Sequence, residues 1–323
     1  MTSVFWRPRG WSSLATESVT RKQSNQAAVP PPNLAQIAET QALRSGRGHR
    51  VRRELIRNRF ALTGTIFLLL IGAAGLLAPL LATHLPHEQS LMSRLAPPSS
   101  EHWLGTDELG RDEYSRILYG ARISLFISFV GTAGGVLIGT LIGLTSGYFG
   151  GWLDTVAMRL IDVMFAFPGI LLAILIVAVM GPGIFNLVVA LVVFAAPTLS
   201  RIVRSSVLSL KSQEFVQAAH LNGASRTRIM VHHLLPNIMA PIIIFATLGV
   251  AGSLLTTASL GFLGLGVQPP TAEWGAMLSV GRNYLRDSPH LVIVPGLLIL
   301  GTVMSLNLIG DALRDALDPH TST

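Results

Sequence analysis

The sequence predicts an all-α membrane protein that crosses the bilayer six times, and three observations carry that prediction. Half of the residues are hydrophobic and only 13% are charged. The apolar residues gather into blocks of about 20, the length that spans a hydrocarbon core as a helix. The blocks are apolar all round, whereas a soluble helical protein of this size would show amphipathic stripes.

Six blocks can be drawn, at about 61–82, 123–144, 163–180, 183–203, 238–262 and 291–310. The third is the shortest and contains Pro168, so its limits are the least defined. Pro197, Pro241 and Pro295 also fall inside blocks, where neighbouring helices can satisfy the carbonyls that proline frees. In the second block, Gly131, Gly135, Gly139 and Gly143 recur every four residues, with Gly134 beside them. Such a small-residue face lets two helix backbones approach closely in lipid; it is either a packing seam inside the bundle, the expected case, or an interface with a second membrane subunit. Asn307, a polar residue in the sixth block, is expected to hydrogen-bond to a neighbouring helix.

Residues 1–59 read differently. They are polar, proline-bearing and without sustained period, as in a disordered tail. No secretory signal is expected there, because the first apolar run starts some sixty residues in. The net charge of +7 comes largely from this tail, which carries eleven of the 24 Lys and Arg. Arg50, Arg52, Arg53, Arg57 and Arg59 precede the first block, a cytoplasmic flank able to touch anionic lipid rather than a nucleic-acid surface. The expected organisation is a basic tail over 1–59, a first span over 60–82, an external segment over 83–122, a bundle over 123–312 and a short tail over 313–323.

With six crossings, both termini and the loop near Glu214 share one side. That side holds the tail's eleven basic residues, Arg159, five from Arg201 to Arg228, and Arg314. Eighteen basic residues thus face six on the other side, and the positive-inside rule places the termini in the cytoplasm.

The chain has no cysteine, which removes disulfides, thiolate metal sites and a cysteine nucleophile. His232 and His233 are adjacent rather than at ligand spacing, so no metal site is expected. Nor is there a glycine-rich loop ending in Gly-Lys-Ser/Thr; the only lysines are Lys22 and Lys211. The chain therefore lacks the lysine that cradles nucleotide phosphates, and no cofactor is expected.

Between the fourth and fifth blocks lies a polar insert, 207–236. Ala218 and Ala219 leave a helix face without bulk, Gly223 can take positive φ and stop the helix, and Ser225 can cap another that runs to Pro236. Helix, sharp turn, helix describes a docking element for a soluble partner. Elsewhere, Asp107, Arg111, Asp112 and Arg116 have spacings that suggest ion pairs on an external surface helix. Arg159 and Asp162, three apart, are expected to pair near the third block, as a gate or as a structural pair.

Four segments carry a family resemblance over roughly residues 50–320. They are His102-Trp-Leu-Gly-Thr-Asp107 through Arg111, Arg116 and Arg122; Gly147-Tyr-Phe-Gly-Gly151 with Arg159, Asp162 and Phe165-Ala-Phe-Pro168; Glu214 through Gly223; and Asn307-Leu-Ile-Gly-Asp311 through Pro319. In this order on six spans, the chain resembles the C-type permease subunit of bacterial dipeptide, oligopeptide and nickel ATP-binding-cassette importers. The resemblance implies a type I importer permease fold in the plasma membrane, without its own ATPase site. Implied partners are a second permease, one or two cytoplasmic ATPases and a solute-binding protein, periplasmic or lipid-anchored. Glu214, Phe215, Val216, Gln217, Ala218, Ala219, Leu221, Asn222, Gly223 and Ala224 would dock the ATPase, with Gln217 where the family's glutamate stands. Peptide is the expected cargo and nickel or another small solute the alternative. An ion-coupled carrier would need ionisable groups deep in the spans, which are nearly free of them.

Overall fold

A computed structural model describes residues 57–317, which belong to one compact unit and are almost entirely helical. Of the disordered tail expected over 1–59, residues 1–56 lie outside the described residues, as does the chain beyond Leu317, while Asn58 and Arg59 already cap and begin a helix. Asn58 caps the first helix by accepting from the amides of Phe60 and Ala61 at 3.0 and 3.2 Å. That helix, α1, runs Arg59–Leu76, and a short turn of helix, α2 (Ala78–Leu81), follows it with Pro79 in its first turn. A loop then leads to α3 (Glu113–Phe149), which begins ten residues before the expected span because Asp112 caps it from the Ser115 amide at 2.8 Å.

After α3 come α4 (Gly151–Phe165), α5 (Gly169–Met180) and α6 (Ile184–Lys211). The polar insert forms α7 (Glu214–Leu221) and α8 (Arg226–Arg228), which winds through a π turn and a 3-10 turn into α9 (Met239–Phe262). The described residues end with α10 (Trp274–Gly281) and α11 (His290–Leu317).

Five helices, α1, α3, α6, α9 and α11, are long and apolar enough to cross a membrane. The expected third span is not one helix. Its residues belong to α4 and α5, which meet at an 89° bend where Pro168 removes a helical donor. At about 1.5 Å per residue, α5 alone is about 18 Å long, short of the roughly 30 Å hydrocarbon core.

The glycine face shows that the pair nevertheless counts as a crossing. A Cβ on Gly131, Gly135, Gly139, Gly143 or Gly147 would meet Leu191, Ala195, Leu199, Val203 and Val207 respectively, all on α6. Both series ascend together, so α3 and α6 run parallel. The chain must therefore return from the end of α3 to the start of α6, and α4 with α5 makes that return. Of the two readings that the four-residue spacing allows, the seam is the one internal to the bundle.

Around this seam, α9 packs on α3 and α11, and α11 packs on α1. Thr132 on α3 donates to Ser253 on α9 at 2.8 Å, both buried. The expected interhelical bond of Asn307 is not formed. Asn307 is exposed and has no side-chain hydrogen bond among the described residues, since it falls on the outward stripe of α11 with Leu300 and Met304.

Candidate functional site

The insert folds as its residues dictate. At the end of α7, the amide of Gly223 donates to the His220 carbonyl at 3.0 Å and that of Ala224 to the Ala219 carbonyl at 3.1 Å. Those two bonds make a Schellman cap, and Gly223 sits in it at φ +77°. Ser225 then accepts from the Arg228 amide at 3.3 Å and starts α8. Pro236 does not end the run. It lies in the 3-10 turn that redirects the chain into α9.

The two alanines separate in role. Ala218 is exposed, while Ala219 and Ala224 pack on the buried cluster of Val207, Val216, Ile229 and Leu234. Val216 thus anchors α7, and Ala218 with Phe215 and Leu221 faces outward, Leu221 at 87% exposure. Gln217 donates to the Ser212 carbonyl at 3.1 Å. A carboxylate there could not donate that bond, so Gln217 fits this chain's own turn. A groove of about 470 Å³ runs beside α7, lined by Tyr148, Phe149, Lys211, Gln217, His220 and Leu221.

The ion pair expected within α4 forms elsewhere. Asp162 pairs with Arg201 on α6 at 2.6 Å, and that guanidinium lies 4.1 Å from the centre of the Phe165 ring. Arg159 is exposed and has no ion-pair partner among the described residues. A second tie is bidentate, Arg204 to Asp154 at 2.5 and 2.7 Å. Spacing along one helix suggested the wrong partner because α6 offers two arginines a turn apart. Together these pairs hold α4 against α6.

Beyond the bend, α4, α5, α6, α9 and Arg314 of α11 enclose a largely apolar cavity of about 620 Å³. Phe167, Phe194, Pro197, Phe245 and Ser253 contribute to its wall. Its volume lies within the roughly 300–1,000 Å³ of small-molecule sites. Residue spacing gave no sign that this wall forms, since it is assembled from three separate blocks and from Arg314 beyond the sixth.

At the other end of the bundle, the charges of 107–116 are buried rather than displayed on a surface helix. Gly105 and Gly110 take φ +73° and +71°, so the backbone turns instead of coiling. Asp107 accepts from the amides of Leu109 and Arg111, from Arg111 Nε at 2.6 Å, and lies 3.3 Å from Arg116 Nε. Nearby, Glu273 is fully buried and caps α10. It accepts from the amides of Gly275 and Ala276 at 2.9 and 2.8 Å and from Ser124 Oγ at 3.0 Å. Burial pushes its carboxyl above the ordinary glutamate range, and these three hydrogen bonds pull it back in part.

Glu273→Ala strands two buried donors and one half-buried one and removes a cap. Each stranded donor costs about 1–3 kcal/mol, so thermal unfolding of the purified protein should fall by several degrees. Glu273→Gln keeps the oxygen that serves Ser124 and Gly275 and should fall between. An unchanged midpoint for Glu273→Ala would show that α10 is held by Trp274 alone, whose indole donates to the Ile117 carbonyl at 3.1 Å.

A bundle of apolar helices packed around a glycine seam, with an exposed helical insert joining α6 to α9, is the arrangement of a membrane transport permease. Residues 135–323 match the binding-protein-dependent transport system inner membrane component family, and residues 46–98 the N-terminal TM domain of oligopeptide transport permease C. The chain belongs to this binding-protein-dependent transport family, as a multi-pass inner-membrane protein. It is 46% identical to the dipeptide transport system permease protein DppC of Alkalihalophilus pseudofirmus, covering 83% of this chain and 88% of that one. It is also 46% identical to the glutathione transport system permease protein GsiD of Pectobacterium atrosepticum, covering 83% and 89%. Among solved structures, it resembles the inward-facing MetNI methionine ABC transporter, with TM-score 0.51 and 20% identity over 63% of this chain and 97% of that one. That likeness concerns the fold.

Proposed function

We propose that the chain is one of two permease subunits of an ATP-driven importer for di- or oligopeptides. The observation that carries this reading is α7: a helix anchored by one buried valine, ended by a rigid Schellman turn, and presenting Phe215, Ala218 and Leu221 outward. Such an element can transmit motion to the bundle because α8 leads from it directly into α9. An ATPase subunit seats on it. The chain itself supplies no phosphate-binding loop, so nucleotide chemistry belongs to that partner. Closure of the ATPases moves α7, the bundles rock, and access to the path alternates between the two sides. A solute-binding protein delivers cargo to the outer mouth.

The cavity beside the α4–α5 bend is this subunit's half of the path, its apolar wall suited to peptide side chains and Arg314 to a peptide carboxylate. Relatives named for dipeptide and glutathione support peptide over nickel. The basic-residue asymmetry supports a cytoplasmic side for α7 and both termini.

Absence of native cysteine allows a direct test of that orientation. Met92→Cys and Leu221→Cys, 99% and 87% exposed as the native residues, should label from opposite faces with a membrane-impermeant maleimide. Met92→Cys should react in intact cells and Leu221→Cys only in inverted vesicles. Labelling of both from one face would overturn the orientation and, with it, the docking role of α7.

A further inference from the structure

We propose that His84, Glu101 and His102 form a binding site for a divalent transition-metal ion of the zinc type, a site independent of the transport reading. The loop between α2 and α3 brings these residues together from positions 17 and 18 apart in the chain, which is why residue spacing gave no sign of it. Each offers one ligand atom, and the three atoms lie within 4.8 Å of one another.

Both imidazoles are held in place by the fold. The His84 amide donates to Ser115 Oγ at 3.1 Å, which ties it to the first turn of α3. The His102 amide donates to Ser99 Oγ at 3.0 Å, and its carbonyl accepts from the Ser99 amide at 2.8 Å. The two rings lie 4.7 Å apart, tilted by 33°. Their side chains are 30% and 13% exposed, so an ion can enter from solvent.

Behind them stands Asp112, buried and fixed by the Ser115 amide at 2.8 Å and Thr83 Oγ1 at 3.2 Å. Its Oδ1 lies 2.9 Å from His102 Nδ1. A carboxylate that accepts one ring N–H sets the tautomer and leaves the other nitrogen as a lone-pair donor. Two imidazoles and one carboxylate suit zinc-like ions rather than magnesium or calcium, which take oxygen shells. Bonds of about 2.0–2.1 Å at tetrahedral angles put ligand atoms about 3.4 Å apart. Rotation of the exposed Glu101 side chain supplies the closure, and a fourth position is left to water. A bound ion would staple the segment after α2 to the loop before α3.

The test uses the full chain in detergent micelles, purified without a histidine tag and stripped with chelator. Zn²⁺ is titrated against a chromophoric chelator, and Co²⁺ is added in parallel to read the visible d–d bands of a tetrahedral site. The expected result is one ion per chain, with affinity reduced at least tenfold in His84→Ala, His102→Gln and Glu101→Gln and unchanged in His87→Ala. Glu101 is exposed and caps nothing, so Glu101→Gln remains decisive if loss of either histidine unsettles the fold. No Zn²⁺ bound at micromolar concentration, or equal affinity in wild type and Glu101→Gln, overturns the proposal.

Discussion

Gly143→Leu should cut the amount of protein in the membrane severalfold. A Cβ at position 143 would lie 2.5 Å from the Ser200 carbonyl oxygen and 2.7 Å from Val203 Cβ. The first of these is backbone of a facing helix, so no rotamer change relieves the clash. Overpacking a well-packed interior costs about 1–3 kcal/mol where side chains can adjust; here α3 and α6 must separate along their common length. The steady-state level in membranes should drop severalfold, and the unfolding midpoint of whatever survives should fall. Gly72→Leu is the control, because a Cβ at that position meets nothing within 4 Å. Equal levels for Gly143→Leu and Gly72→Leu would mean that the two helices are not in backbone contact at this point.

That seam was legible because glycine every four residues in an apolar helix has few other uses. The cap of α7 was legible for a similar reason: Gly223 before Ala224 and Ser225 carries local backbone chemistry, and local chemistry survives in the fold. What failed was partner choice across helices. Asp162 has Arg159 one turn away, yet pairs with Arg201, 39 residues later, because α6 lies against α4 only once the bend at Pro168 is made. The acidic and basic residues of 107–116 showed helical spacing, but Gly105 and Gly110 turn the chain, and the charges are buried against one another rather than solvated. Ala218 and Ala219 looked equivalent as small residues. Only packing shows that Ala219 faces its own chain and Ala218 faces away. The cavity wall and the His84, Glu101 and His102 group were out of reach of the sequence, since each is assembled from segments that spacing does not connect.

The second large effect concerns coupling at α7. Ala218→Trp places a bulky ring on the outward face of α7 without touching the cluster that anchors Val216. Gly223→Val puts a β-branched residue at φ +77°, at a cost of about 1–2 kcal/mol or more. No neighbour lies within 4 Å of its Cβ position, so the strain is confined to the turn. Ala219→Trp is a poorer probe, because Ala219 packs inward and its loss would disturb the fold itself. Gln217→Glu forfeits the bond to the Ser212 carbonyl, worth about 0.5–1.5 kcal/mol, and should be mild.

The most direct measurement is peptide-stimulated ATP hydrolysis by the assembled importer, both permeases and ATPases in lipid with the binding protein present. Ala218→Trp should insert normally and reduce stimulated hydrolysis at least tenfold, with loss of ATPase co-purification. Full stimulation by both Ala218→Trp and Gly223→Val complexes would contradict the account, because α7 would then not be the element through which the ATPase drives this subunit.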